Sequence, residues 1–198
     1  FPGHDHPKVI GYLDVLQKRV VPGHRVAIIG AGGIGFDVAE YLVQNAPSPS
    51  LNPNAWMHEW GVDAGFDSAG GLTRPRVEPP EREIWLLQRS PGKPGGRLAK
   101  TTGWIHRSTL KAKGVTMLGG VEYLGVDDAG LRIRVGDQEQ VLPVDHVVIC
   151  AGQESRRDLL APLQAAAVPV QLVGGADVAA ELDTKRAIAQ ASRVAAAL

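Results

Sequence analysis

Residues 25–42 have the sequence RVAIIGAGGIGFDVAEYL, and this stretch decides the fold class. Residues 25–30 form a short, β-branched, apolar run, which is typical of a strand buried on both faces of a parallel sheet. Glycines at positions 30, 32 and 35 have the spacing G-x-G-x-x-G, and the residues after them have a helical pattern. A strand, a glycine turn and a helix in this order predict a Rossmann-like dinucleotide-binding unit.

Each glycine of the turn has a physical purpose in such a unit. Gly30 makes the tight turn, Gly32 lets the backbone approach a pyrophosphate, and Gly35 lets the helix pack on the strand. The phosphates would lie on free N–H groups at the positive end of the helix dipole. The candidate phosphate-binding residues are Gly30, Ala31, Gly32, Gly33, Ile34 and Gly35. The alternative is a purely structural glycine turn.

The rest of the chain alternates between strand and helix patterns, which predicts an α/β fold with a parallel sheet. Strands are predicted at 83–88, 115–118, 146–150 and 170–173, and helices at 9–20, at 104–113 and from 177 to the C-terminus. Three antiparallel strands at about 121–142 predict a β-meander, so we expect a three-layer fold. Residues 46–82 hold six prolines and two tryptophans, and they are interpreted as an insertion with a short helix around 55–60.

The end of the second strand indicates which dinucleotide binds. An NAD site would place an acidic residue there to hold the ribose 2′-OH, but the sequence is Gln88-Arg89-Ser90. Arg89 can bind a 2′-phosphate through two N–H groups, so NADP(H) is favoured over NAD(H). Further candidates near this site are Ser90, Lys93, Arg97 and Arg107. The alternative for this cluster is a solvated basic loop, and His106 is interpreted as a packing residue.

Composition excludes several other functions. The 21 basic and 21 acidic residues give a formal net charge of zero, which argues against a nucleic-acid binder. One cysteine, Cys150, allows no internal disulfide and no cysteine-ligated cluster, and the scattered histidines predict no metal site. No membrane span or signal peptide is predicted, so a cytoplasmic location is expected. Because the chain begins with Phe1, we expect a fragment or a processed product.

Five stretches resemble bacterial NADPH-dependent 2,4-dienoyl-CoA reductases, which are old-yellow-enzyme-like flavoproteins. They are DHPKVIGYLDVL (5–16), VAIIGAGGIGFDVAEYL (26–42), LQRSPGKPGGRLAKTTGWIHR (87–107), VVICAGQE (147–154) and GGADVAAELDTKRAIAQ (174–190). The segment KTTGWIHR is more specific to that family than the glycine motif. The resemblance is interrupted mainly in 46–82.

The resemblance implies a larger parent enzyme with a barrel that holds FMN and an iron–sulfur cluster, a FAD domain, and an NADPH domain inserted into the FAD domain. It assigns 1–22 to a linker and helix of the FAD domain, 23–150 to the NADPH domain, and 151–198 to the C-terminal segment of the FAD domain. It also implies that Ala151, Gly152, Gly175 and Asp177 belong to a partial FAD site. For Asp177 the alternative is a simple helix N-cap. The family's catalytic acid has no counterpart here, so no catalytic residue is assigned.

The resulting hypothesis is a portion of a flavin-dependent oxidoreductase that passes hydride from NADPH to FAD, for reduction of a 2,4-dienoyl-CoA or similar enoyl substrate. Its expected partners are the missing FAD domain and the barrel of the same parent chain. One alternative is a non-catalytic NADP(H)-binding sensor or structural subunit, and a weaker one is a complete NADP-dependent dehydrogenase. We expect Val148, Ile149, Leu172 and Val173 to form an apolar docking face, which favours the first hypothesis.

Overall fold

The computed structural model describes residues 1–179 and 184–197. The chain divides into two compact units, Phe1–Ala151 and Gly152–Leu198. The strands of the first unit are β1 Val9–Gly11, β2 Arg25–Ile29, β3 Glu83–Gln88, β4 Thr116–Gly119, β5 Val121–Asp127, β6 Gly130–Val135, β7 Gln138–Leu142 and β8 His146–Ile149. Its helices are α1 Tyr12–Leu16, α2 Gly33–Val43, α3 Pro53–Trp60 and α4 Gly103–Ala112. The second unit contains α5 Leu160–Ala165 and α6 Thr184–Ala196.

The first unit is built on a parallel sheet with the strand order β1-β8-β2-β3-β4. Strand β2 lies between β3 and β8, and all of these pairings are parallel. The chain order therefore reverses at β2, and in open α/β sheets ligands bind at such a switch point, outside the carboxyl ends of the strands. The predicted meander is confirmed as a separate antiparallel sheet with the order β5-β6-β7.

Strand β2 separates two hydrophobic cores because its side chains alternate between the faces of the sheet. Val26 and Ile28 pack with α2 and α4, in a cluster that includes Phe36 and Leu110. Ala27 and Ile29 pack on the other face, in a cluster that includes Leu131, Ile133 and other meander residues. Helices, parallel sheet and meander thus form three layers, which confirms the predicted Rossmann-like α/β fold class.

The insertion at 46–82 contains helix α3. The Asn52 side chain caps its N-terminus by accepting from the N–H groups of Asn54 and Ala55, and Gly61 ends it in the left-handed conformation. Lys113 at the end of α4 forms a 2.6 Å ion pair with Glu59, and both side chains are largely buried. This pair attaches the insertion to the helical layer.

The prediction of one helix over residues 9–20 was wrong. Val9–Gly11 is a strand that pairs with Val147–Ile149, and α1 is limited to Tyr12–Leu16. In so short a segment the apolar residues fit both a helical period and a strand period. Pairing with the edge of β8 makes the first three residues a strand. Residues 1–22 lie in the same compact unit as 23–150, so the division of the chain between two cofactor domains stays a proposal.

The predicted strand at 170–173 was also wrong, and so was the inclusion of Val148 in an apolar docking face. Residues 170–173 are not a strand, since the described part of the second unit contains no strand with which they could pair. Val148 is fully buried between β1 and β2, so it does not belong to an exposed docking face. The apolar character of this residue reflects the core of the sheet.

The ion pair between Arg25 and Asp145 makes the first unit sensitive to acid. The carboxylate of Asp145 accepts from Arg25 Nη2 at 2.9 Å and from the Arg25 backbone N–H at 2.8 Å. These two bonds lower the pKa of Asp145 from 3.8 to about 2. Because the folded-state pKa is the lower one, the stabilisation is present above the unfolded value and is lost as the pH falls toward about 2.

We expect Asp145→Asn to lower the free energy of unfolding by about 1 kcal/mol at neutral pH. The variant should also lose less stability than the wild type between the two pKa values of Asp145. Urea unfolding at neutral pH and at acidic pH measures both effects. Asp137→Asn, in the exposed turn between β6 and β7, is the matched control. Identical acid profiles for Asp145→Asn and the wild type would refute the assignment.

Candidate dinucleotide site

The glycine turn is closed by two contacts that exclude any side chain. Gly30 has φ +112°, and its N–H donates to the Leu87 carbonyl at 2.9 Å. A Cβ at Gly30 would lie 3.0 Å from the Cys150 carbonyl oxygen. A Cβ at Gly35 would lie 1.7 Å from the Gly30 carbonyl oxygen. Gly30 and Gly35 therefore allow α2 to start directly against β2.

The middle of the turn is open. Apart from its chain neighbours and the backbone of its own helix, a Cβ added at Gly32 or at Gly33 would meet no atom of the described residues within 4 Å. Gly32 is the N-cap of α2, where no side chain caps the helix and the first turn holds no acidic residue. The first-turn amides of a helix have no intrahelical acceptor and lie at the positive end of its dipole. This open, uncapped helix start fits the pyrophosphate of a dinucleotide.

The two non-glycine residues of the turn serve packing. Ala31 is buried in the core beneath the helical layer, and Ile34 packs against the same cluster. Their side chains fix the turn to the sheet, so any contact that they make with a pyrophosphate is through the backbone.

Arg89 and Ser90 follow the carboxyl end of β3, beside the glycine turn at the end of β2. Both residues are exposed. The Ser90 carbonyl accepts from Gly120 N–H at 3.0 Å and from Gln88 Nε2 at 2.9 Å. These bonds fix the backbone immediately after Arg89, which therefore stays at the carboxyl edge of the sheet.

Arg89 lines a pocket of about 370 Å³ together with residues at the start of β5. Burial raises the pKa of Tyr123 in this pocket to about 12, while the nearby positive charge of Arg89 lowers it. The carboxylate of Glu122 pairs with Arg134 at 2.8 Å. Tyr123 was not predicted from the sequence, because it lies 34 positions after Arg89 and belongs to no motif.

The predicted basic residues that follow Ser90 divide into two groups, Lys93 and Arg97 in the loop and Arg107 in α4. Lys93 and Arg97 are exposed, as a phosphate-binding or a solvated loop would require. Arg107 is partly buried and donates from Nη1 to the Gly95 carbonyl at 2.8 Å. Gly95 in turn approaches the Phe36 ring of α2 so closely that a Cβ there would lie 2.6 Å from it. Arg107 therefore braces the loop against the helical layer.

His106 belongs to the helical layer as well. Its Nδ1 lies 2.8 Å from Glu40 Oε1, which joins α4 to α2. Glu40 is about two turns beyond Gly33 along α2, at 3.6 residues per turn. The interpretation of His106 as a packing residue agrees with this contact.

Strand β8 ends at the same edge of the sheet as β2 and β3. The Cys150 N–H donates to the Ile29 carbonyl at 2.8 Å, and the Ala151 side chain lies against the Gly30 backbone. Burial raises the pKa of the Cys150 thiol to about 12, so it is not a nucleophile at neutral pH. Gly152, with φ +80°, begins the second unit.

The second unit holds Gly175 and Asp177, the other two residues assigned to a FAD site. Gly175 lies in a 3₁₀ helix, Gly174–Ala176, and Asp177 follows it. Asp177 Oδ2 accepts from Gln190 Nε2 at 2.7 Å, and Gln190 Oε1 accepts from Gly174 N–H at 2.8 Å. Asp177 therefore ties this turn to α6. The helix start predicted from 177 lies partly in residues 180–183, outside the described residues.

Two further findings concern the described residues alone. They contain no group of three His, Cys, Asp or Glu side chains that could hold a metal ion. None of the helices described is both long enough and apolar enough to cross a membrane.

The chain resembles several known redox proteins. A metal reductase of Desulforamulus reducens is 23% identical over 175 residues, which are 88% of this chain and 25% of that protein. The structure of 2-naphthoyl-CoA reductase superposes with a TM-score of 0.67 at 17% identity, over 96% of this chain and 23% of that one. The structure of the 6-hydroxypseudooxynicotine amine oxidase of Pseudomonas geniculata superposes with a TM-score of 0.68 at 17% identity, over 98% of this chain and 25% of that one.

The chain thus spans about a quarter of the length of these proteins. The family model described as pyridine nucleotide-disulphide oxidoreductase matches residues 3–188. The chain therefore belongs to the pyridine nucleotide-disulphide oxidoreductase family, an assignment that supports both predicted cofactors, NADP(H) and FAD.

Proposed function

We propose that the chain is the NADPH-binding portion of a flavin-dependent oxidoreductase that passes hydride from NADPH to FAD. The observation that carries this proposal is the open, uncapped start of α2, with Arg89 following the carboxyl end of β3, the strand next to β2. Backbone amides there suit a pyrophosphate, and the guanidinium suits a 2′-phosphate. Neither Gln88 nor Ser90 supplies the carboxylate that would select NAD(H).

The chain contributes binding and orientation to this reaction. NADPH, when bound, supplies the hydride, and the described residues supply no acid or base of their own to the transfer. The first-turn amides of α2 hold the phosphates, and Arg89 fixes the adenosine end. Lys93 and Arg97 add positive charge to the loop, while Arg107 holds the loop in place. Positioning of this kind is the protein's share of catalysis in cofactor enzymes.

The acceptor and the final substrate rest on the resemblance of residues 5–16, 87–107 and 174–190 to 2,4-dienoyl-CoA reductases. We propose that Ala151, Gly152, Gly175 and Asp177 contribute to a FAD site that the rest of the parent protein completes. A 2,4-dienoyl-CoA or a similar enoyl thioester is the proposed substrate, in the cytoplasm. The FAD domain and the FMN and iron–sulfur barrel are the proposed partners.

Calorimetric titration of this chain with NADPH, NADH and FAD in parallel tests the proposal. We expect NADPH to bind far more tightly than NADH, and FAD to bind weakly because its proposed site is partial. Equal affinities for the two nicotinamide cofactors would refute the assignment of the 2′-phosphate site. A folded chain that binds neither of them would refute the proposed function.

Arg89→Gln should abolish the preference for NADPH. Hydrogen bonds to a charged group contribute about 1.5–3 kcal/mol, so NADPH affinity should fall about 10–100-fold while NADH affinity changes little. Titration of both cofactors with the variant measures this. Arg132→Gln removes an arginine in the meander that pairs with Asp127, and it serves as the control. Equal losses for NADPH and NADH would show that Arg89 does not recognise the 2′-phosphate.

A further inference from the structure

A second pocket lies at the opposite edge of the parallel sheet from the glycine turn. Val20, Val21 and Pro22 precede β2, and Arg82 immediately precedes β3, so the pocket is at the amino ends of these strands. Its volume is about 350 Å³. This lies at the lower end of the roughly 300–1,000 Å³ that small-molecule pockets occupy. The lining residues are Val15, Lys18, Val20, Val21, Pro22, Tyr41, Leu42, Gln44, Asn45, Ala46, Ser48 and Arg82.

The pocket carries positive charge that the described residues do not neutralise. Among the described residues that line it, Lys18 and Arg82 carry charge and none has a carboxylate. Within the ranges 1–179 and 184–197, neither side chain forms an ion pair or a hydrogen bond. Arg82 Nε is buried and has no acceptor. A buried donor without a partner is costly, and an anion in the pocket would remove that cost.

An acceptor without a partner lies in the same pocket. Asn45 donates from Nδ2 to the Pro79 carbonyl at 3.1 Å, which fixes the orientation of its amide. Its Oδ1 is buried and receives no hydrogen bond from any residue that the structure describes. A ligand that satisfies the pocket therefore carries a hydrogen-bond donor as well as a negative charge.

The left-handed backbone conformation of Lys18 supports a role for its positive charge in ligand binding. Lys18 follows α1 and has φ +57°, the left-handed conformation in which glycine or asparagine is usual after a helix. A non-glycine residue in this strained conformation persists when other interactions compensate for the conformational energy. The observed lysine adds a second cation to the lining of the pocket.

We propose that this pocket binds a small hydroxycarboxylate. Arg82 and Lys18 hold the carboxylate, and Asn45 Oδ1 accepts from the hydroxyl group. The apolar side chains of Val15 and Leu42 contact the carbon chain, which favours an organic anion over inorganic phosphate. The proposal does not depend on the proposed function, since the two sites lie at opposite edges of the sheet.

Calorimetric titration of the 198-residue chain with 3-hydroxybutyrate tests the proposal. Butyrate lacks the hydroxyl group and so cannot donate to Asn45 Oδ1. 1,3-Butanediol lacks the carboxylate and so cannot form ion pairs with Arg82 and Lys18. We expect butyrate to bind about 3–10-fold more weakly, as for the loss of one neutral hydrogen bond, and 1,3-butanediol to lose more than about tenfold. Equal binding of 3-hydroxybutyrate and 1,3-butanediol would overturn the proposal, as would stronger binding of inorganic phosphate.

Two variants remove the charges separately. Arg82→Gln should weaken 3-hydroxybutyrate by at least about tenfold. Lys18→Asn should weaken it less, and asparagine tolerates the left-handed conformation, so this variant keeps the fold if Arg82→Gln does not. Lys111→Gln, an exposed position of α4 outside the pocket, is the control. Circular dichroism and thermal unfolding of each variant report whether the first unit is intact. Folded wild-type protein that shows no saturable 3-hydroxybutyrate binding would refute the site, as would unchanged binding in both variants.

Discussion

Gly35→Ala should destabilise the first unit by about 3 kcal/mol or more, at or beyond the upper end of the cost of overpacking. The added methyl would lie 1.7 Å from the Gly30 carbonyl oxygen and 2.9 Å from its carbon. Both atoms belong to the backbone, so no rotamer change relieves the clash. Either α2 moves away from β2, or the turn opens and loses the bond from Gly30 N–H to the Leu87 carbonyl.

Urea unfolding followed by circular dichroism measures this loss. Gly33→Ala is a matched control, because the same substitution two residues earlier meets no atom within 4 Å. Alanine is also the better helix former, so this control should be at least as stable as the wild type. An unchanged unfolding midpoint for Gly35→Ala would contradict the close approach of α2 to β2.

Gly32→Glu should abolish NADPH binding and leave the fold intact. Gly32 has φ −88° and ψ −170°, an extended conformation that any residue adopts, and the space around its Cβ position is open. A carboxylate at this position repels the pyrophosphate and competes for the first-turn amides. Loss of two hydrogen bonds to a charged group corresponds to a loss of affinity of at least about 100-fold.

The fold of this variant should be slightly more stable, because a negative charge at a helix N-terminus contributes about 0.3–1 kcal/mol. Calorimetry with NADPH and thermal unfolding measure the two effects. Gly32→Gln has the same size without the charge, so its smaller loss of affinity separates repulsion from bulk. A Gly32→Glu protein that binds NADPH as the wild type does would show that the phosphates lie elsewhere.

The glycine turn and Arg89 are the parts of the candidate site that the sequence alone predicted. The spacing of Gly30, Gly32 and Gly35 predicted which glycine closes the turn and which leaves it open, and the geometry agrees at each position. Local patterns succeed here because the strand, turn and helix are contiguous in the chain. The position of Arg89 at the end of β3 was predicted for the same reason.

Other features escaped the sequence because they depend on residues far apart in the chain. Nothing in residues 9–20 shows that β8 offers an edge to Val9–Gly11, and nothing in 170–173 shows that a partner strand is lacking in the described second unit. Arg107 was expected at the cofactor, but one of its nitrogens is used to hold Gly95. These features depend on which distant residues pair with a strand edge or accept from a donor such as Arg107, and only the folded chain determines that.

The sequence by itself determined the α/β class, the glycine turn, the meander and the position of Arg89 at the end of β3. These features can be predicted because they depend on periodicity and steric constraints within short, contiguous segments of the chain. Only the tertiary structure decided that Tyr123 lies by Arg89, that Asp177 is bound to Gln190, and that Lys18 and Arg82 line one pocket. Each of these contacts joins segments separated by 13 or more residues, and packing of the whole unit sets their distances.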